Sequence, residues 1–216
     1  MSSDAATKTR WQDQVYDLLR QHKVTQFAYV PDAGHRILID RSLADADVHS
    51  VALTTEEEGV ALLAGADLGG ARGVLLMQSS GAGNCINMLS LTSGGRFPFL
   101  TLISMRGDFG EGNPWQFPMG RATEKVLEAM DVTCLRADTP EEALAAVNAA
   151  ITMVFQAGRA VAVLFTQKLL GAKKFGGRER WQLIPPAGKR QARRRPASCS
   201  TASRRSPSSS ASTRTS

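Results

Sequence analysis

Three consecutive carboxylates, Glu56, Glu57 and Glu58, stand in the stretch TTEEEGVALLAG, residues 54–65. An apolar run, residues 49–53, precedes them, and an Ala-rich pattern at helical spacing follows. They therefore mark a strand running into a helix. Carboxylates suit the positive end of a helix dipole, so capping accounts for all three without chemistry. A carboxylate at such a junction can also exchange a proton with a ligand beyond the strand end. A second candidate, Ser80-Gly81-Ala82-Gly83-Asn84, follows the apolar run GVLLMQ. As a dinucleotide fingerprint it fails, because Ile86 holds the third glycine position and no acidic residue ends a strand about 20 residues on. What remains is a glycine turn opening a helix, and both a tight turn and close approach to a ligand explain its glycines. His22, His35 and His49 form no Ser/His/Asp or Cys/His set, and Cys85, Cys134 and Cys199 show no metal-ligand spacing.

The elements that must position these residues alternate regularly. Apolar residues at helical spacing over 9–21 open the chain, and 25–30 is a β-branched and aromatic strand stopped by Pro31-Asp32-Ala33-Gly34. A short helix over 35–44 leads to the strand at 49–53, whose helix, 57–68, ends at Gly69-Gly70. Residues 73–78 form the third strand, and the glycine turn leads into a helix reaching about residue 93. Residues 98–105 are the fourth strand, 106–120 a long Gly/Pro-rich loop, and 123–130 a helix with Thr123 as its cap. A short strand at 132–135 precedes Thr139-Pro140-Glu141-Glu142, a strong N-terminal signal for a helix to about residue 157. The last strand is 160–165. Six short apolar strands alternating with helices predict an α/β fold: a three-layer αβα arrangement around a mainly parallel six-stranded sheet. In such sheets ligands bind outside the carboxyl ends of the strands. Asp32, the glutamates, Gln78–Asn84 and the loop beginning at Arg106 all fall on that edge.

Composition narrows the partners. The net charge is +6, but residues 176–216 carry ten Lys/Arg against Glu179 alone, which leaves residues 1–175 at −3. Residues 1–175 are thus expected to form one domain and 176–216 a disordered basic Ser/Arg-rich tail, with Trp181, Leu183 and Ile184 able to pack locally. An arm for RNA or an anionic surface is the alternative reading of that tail; nucleic acid is not the expected partner. An odd number of cysteines, no secretory signal and no apolar run of membrane-spanning length point to a soluble cytoplasmic protein.

Five segments in order carry a resemblance to a known family. They are Glu57-Glu58-Gly59-Val60-Ala61, Met77-Gln78-Ser79-Ser80-Gly81-Ala82-Gly83-Asn84, Ser104-Met105-Arg106-Gly107, Gln116-Phe117-Pro118-Met119-Gly120 and Gln167-Lys168-Leu169-Leu170-Gly171. Together they resemble the pyrimidine-binding domain of thiamine-diphosphate-dependent decarboxylases over roughly residues 9–175. Within that superfamily the chain is most similar to sulfopyruvate decarboxylase α subunits and the matching part of phosphonopyruvate decarboxylases.

The resemblance implies a catalytic glutamate that hydrogen-bonds the cofactor's aminopyrimidine and promotes its imino tautomer. By motif alignment that residue is Glu57, and the role calls for a dry pocket, with Glu56 and Glu58 left to capping and solvation. It also implies cofactor contacts from Gly81, Gly83 and Asn84, and a substrate side formed by Asp32, Gln78, Ser79, Arg106 and Gln116. Relatives commonly carry Asn where Ser79 stands, and some place His where Gln116 stands. Arg106 is read either as a surface arginine or as the cation that neutralises a sulfonate, phosphonate or carboxylate. The superfamily's Gly-Asp-Gly metal motif does not occur in this sequence. The implied cofactor, thiamine diphosphate with Mg2+, is thus expected to be completed by a diphosphate-binding β subunit in a hetero-oligomer. Another thiamine-diphosphate lyase or carboligase of acetohydroxy acid type, and a non-catalytic α/β partner subunit, are the competing readings.

Overall fold

Short runs of β-branched and aliphatic residues form six strands in the computed structural model, which describes residues 10–172. They are β1 (Val24–Tyr29), β2 (His49–Ala52), β3 (Arg72–Gln78), β4 (Phe99–Ser104), β5 (Thr133–Ala137) and β6 (Ala160–Phe165). All neighbours pair in parallel, in the order β2-β1-β3-β4-β6-β5. The helices are α1 (Trp11–Gln21), α2 (Arg36–Ala44), α3 (Glu56–Leu68), α4 (Ser79–Cys85), α5 (Ser90–Gly95), α6 (Phe117–Glu128), α7 (Pro140–Phe155) and α8 (Gln167–Leu170). The expected basic tail, with Trp181, Leu183 and Ile184, lies outside the described residues.

Side chains alternate between two cores, as the period of an extended strand requires. Phe27, Val74, Leu76, Leu100, Leu102, Val161, Val163 and Phe165 meet α1, α2 and α7 on one face. Ala28, Leu75, Met77, Phe99, Ile103, Ala162 and Leu164 meet α3, α4 and α6 on the other. Because both faces are covered, the central strands β3, β4 and β6 are mostly apolar and almost fully buried, and the one polar residue in their middle, Thr101, donates its hydroxyl to the Leu75 carbonyl at 3.0 Å. The three-layer α/β arrangement is the one expected from the sequence.

Three local expectations change. Residues 79–84 are not a turn leading into a helix; they are the helix α4, which stops at Cys85, and α5 is separate. The loop after β4 is shorter than expected, because α6 begins at Phe117, with Pro118 in its first turn, where a preset φ and a missing N–H cost nothing. Thr123 is consequently not a cap: it is buried inside α6, its hydroxyl donating to the Met119 carbonyl at 2.7 Å. Gly120, a loop signal in the sequence, sits in this helix against the Arg106 backbone, where a Cβ would overlap the Arg106 carbonyl oxygen. By contrast Thr139 caps α7 as its sequence predicts, accepting from the Glu142 N–H at 3.2 Å.

Candidate active site

The chain runs from β1 outward to β2 and then returns to place β3 on the other side of β1. Parallel sheets open a crevice at the carboxyl ends where the order reverses in this way. Asp32 follows β1 there, Gln78 ends β3, and α3 and α4 begin beside it.

The glutamates resolve by helical phase. Glu56 lies on the α3 stripe with Gly59, Val60, Leu63 and Ala64, which faces the sheet, so its side chain is carried inward and is only 7% exposed. Glu57 lies one residue around the helix and is exposed. Glu58 is exposed too and reaches back past the N-cap residue Thr55 to accept from the Thr54 N–H at 2.9 Å. The dry environment expected for Glu57 therefore belongs to Glu56. Its Oε2 accepts from Asn84 Nδ2 at 2.8 Å, while Oε1 receives no hydrogen bond from a described residue. The carboxylate lies over Gly81, and a Cβ at Gly81 would overlap it. Gly81 thus keeps its place through close approach rather than turn geometry. Gly83 does likewise for helix packing, its missing Cβ lying 3.0 Å from Met119 Sδ. Below them the Cys85 thiol is pushed up to about 12 by burial, with the Glu56 and Glu57 charges adding to it. It stays protonated and takes no part as a nucleophile.

A second polar cluster closes the ends of β1, β3 and β4. Asp32 accepts from the Ser104 hydroxyl at 2.5 Å, the Gly34 N–H at 2.9 Å and Gln78 Nε2 at 3.1 Å. Ser80 donates to the other end of the Gln78 amide at 2.9 Å, which fixes its orientation. Burial alone would raise the Asp32 pKa, but the hydrogen bonds from the Ser104 hydroxyl, Gln78 and the Gly34 N–H outweigh it, so the carboxyl is held below its ordinary value. His35 beneath it is fully buried, with Nε2 3.0 Å from the Met77 carbonyl and Nδ1 without a hydrogen-bond partner. Burial lowers its pKa, so it is a neutral structural histidine.

The third cluster corrects the expectation for Arg106. Its guanidinium forks onto Glu111, with Nε 2.7 Å from Oε2 and Nη2 3.0 Å from Oε1, and so it is not a free cation. Glu111 also accepts from the N–H groups of Gly107 and Asn113 and from Gln167 Nε2. The Arg106 guanidinium and these amide donors hold the Glu111 carboxyl down at about 2 despite its burial. Arg106 and Asp32 both line a small cavity of about 170 Å³ with Gly34, Ser104 and Leu170. Its charged lining is thus one carboxylate, Asp32, and one guanidinium already paired with Glu111. Ser79 is also spent on structure: fully buried, it accepts from the Arg106 N–H at 3.0 Å and ties β3 to the end of β4. Gln116 precedes the first residue of α6, makes no capping hydrogen bond with its side chain and is half-buried.

The structure therefore brings Glu56, Gly81 and Asn84 together, and Asp32 with Gln78. It separates Glu57 from the first group and commits Ser79 and Arg106 to holding the frame. Glu56, Glu111 and Gln167 were not picked out from the sequence as site residues. For Glu56 the signal was present, since it falls in phase with Val60 and Leu63. For Glu111 and Gln167, 56 residues apart, no local pattern points to their contact. Among the described residues no group of His, Cys, Asp and Glu is arranged to hold a metal ion, and no helix is long and apolar enough to cross a membrane.

No family model matches the chain. Individual proteins do. Over 152 residues it is 36% identical to sulfopyruvate decarboxylase subunit alpha of Methanocaldococcus jannaschii, covering 70% of this chain and 90% of that protein. The corresponding subunit of Methanococcus maripaludis is 36% identical over 151 residues, covering 69% and 90%. Phosphonopyruvate decarboxylase of Streptomyces viridochromogenes is 38% identical over 122 residues, but these cover 55% of this chain and 31% of that protein. Among solved structures, the 2-oxoglutarate:ferredoxin oxidoreductase from Magnetococcus marinus superimposes with a TM-score of 0.60 at 14% identity, over 75% of this chain and 29% of that one. That likeness concerns the fold. At 36% identity over nine-tenths of an α subunit's length, the chain belongs to the sulfopyruvate decarboxylase α-subunit family.

Proposed function

We propose that this chain is the α subunit of a two-chain, thiamine-diphosphate-dependent 2-keto acid decarboxylase acting on a sulfopyruvate- or phosphonopyruvate-type substrate, with Glu56 as its catalytic carboxylate. One observation carries the reading: a buried carboxylate, tied through one oxygen and without a described donor at the other, packed onto a glycine whose missing side chain makes room for it. That arrangement fits the pyrimidine end of thiamine diphosphate, which requires a carboxyl group able to share a proton with a ring nitrogen. When bound, thiamine diphosphate supplies the nucleophilic carbon and the electron sink for loss of carbon dioxide.

The residues of this chain then divide the work. Glu56 Oε1 holds the exchanging proton, and burial excludes the water that would compete for it. Gly81 and Gly83 shape the floor, and Asn84 of the same helix stands at the rim. Asp32, kept ionised by its three donors, and Gln78 form the substrate side, with Arg106 at its rim through the nitrogen that Glu111 leaves unpaired. With an anionic Asp32 in that wall, much of the cationic charge for the substrate's acidic group is assigned to the second chain. The diphosphate and Mg2+ are assigned there too.

Glu56→Gln and Glu57→Gln, each assembled with the partner chain, test the reading. Glu56→Gln is expected to lower kcat by about 10²–10⁴-fold, the usual worth of positioned acid–base catalysis. Glu57→Gln is expected to remain close to wild type. Normal decarboxylation by Glu56→Gln would refute the assignment.

A further inference from the structure

The Glu56 carboxylate is held asymmetrically, and the asymmetry has a chemical consequence. Asn84 comes from α4, at the rim of the site, and its Nδ2 donates to Oε2 at 2.8 Å. The amide N–H takes one lone pair of Oε2 and draws electron density from it, so Oε2 is the less basic of the two oxygens. A proton on Glu56 is therefore favoured on Oε1. The same bond fixes the carboxylate plane, and the overlap that a Cβ at Gly81 would produce shows how little space the plane has in which to turn.

We infer that Asn84 is the positioning residue of this site: its amide binds Oε2 of Glu56 so that Oε1 is the oxygen that presents the exchangeable proton to the ligand. This rests on the reading of Glu56 as the catalytic carboxylate. Asn84 itself need not touch the reacting atoms. Without it, Glu56 divides its time between two equivalent oxygens and several orientations, and misplacement of a proton donor by about 1 Å costs on the order of 10²-fold in rate.

Two measurements test this. In the full-length chain alone, the Asn84 side-chain amide signals in a ¹⁵N–¹H spectrum are expected to move in Glu56→Gln and stay in place in Glu57→Gln. In the two-chain enzyme, Asn84→Ala is expected to lower kcat by about 10–100-fold with KM roughly unchanged, the mark of a group acting in the transition state. Asn84→Asp keeps the shape but replaces the donor with an acceptor. It is expected to lose at least as much and to move the acidic limb of the pH–rate profile, which loss of packing would not do. Amide signals unmoved by Glu56→Gln would overturn the inference. So would a wild-type kcat and pH profile in both Asn84 variants while Glu56→Gln is inactive. Full activity in Glu56→Gln would instead remove the reading beneath it, and the inference with it.

Discussion

At Gly81 the consequence of a single methyl group is set by the carboxylate above it. A Cβ there would overlap Glu56, so Gly81→Ala must displace either α4 or the side chain of Glu56. Overpacking of this kind costs about 1–3 kcal/mol of stability. Because the displaced group is the proposed catalytic one, activity is expected to fall far more than stability. A decarboxylation assay beside a thermal melt checks this, and a variant with wild-type kcat would show the contact to be slack. The choice between Glu56 and Glu57 also belongs to this scale. Spacing from Gly59 favours Glu57 in the linear motif, whereas a helix turns each successive residue by about 100°. Only the residue in phase with Val60 and Leu63 can point inward.

Among the elements, the segment between β4 and α6 depends most on one side chain. Glu111 gathers the Arg106 guanidinium, two backbone N–H groups and Gln167, and thereby fastens the loop to α8. Glu111→Ala leaves Arg106 partly buried without its counter-charge, and removing one member of a buried pair costs about 3–5 kcal/mol. The pH dependence has a definite sign. A folded value of about 2 lies below the ordinary 4.5 of a glutamate, so the unfolded chain binds the proton first as the pH falls. The stabilisation is complete above pH 4.5 and is lost as the pH drops from there toward 2. Denaturant melts across this range are expected to show a shallower acid dependence for Glu111→Ala than for wild type; equal slopes would count against the network. The loop itself was readable in the Gly and Pro residues of the sequence. The start of α6 was not, because Gly120 and Pro118 signal a break unless the contact of Gly120 with the Arg106 backbone is known.

At the scale of the whole molecule, large apolar side chains collect beside the proposed site. Trp115 is 85% exposed and Phe109 63%, both in the segment after the carboxyl end of β4. Groups of this size on the rim suit a surface that another chain covers. The chain by itself is accordingly expected not to decarboxylate a 2-keto acid and to become active when a diphosphate-binding partner is added. Trp115→Ser is expected to weaken that assembly by about tenfold or more, as the loss of an aromatic anchor does. Sedimentation of the mixed chains, followed beside activity, measures it; turnover by the isolated chain would contradict the two-chain reading.

The sequence by itself determined the six strands, their alternation with helices and the edge on which the polar residues gather. Each of these follows from local information: continuous apolar runs where both sheet faces are covered, and caps such as Thr139 where a helix begins. Only the tertiary structure decided which glutamate is buried, that Arg106 is claimed by Glu111, and that Ser79 braces the frame instead of facing a ligand. Those outcomes depend on how α3 is rotated against the sheet and on how the loop after β4 closes over α8. The phase of Glu56 with Val60 and Leu63 was legible, but which face of α3 meets the sheet, and which groups lie against Glu111 and Ser79, are set by packing rather than by a local pattern.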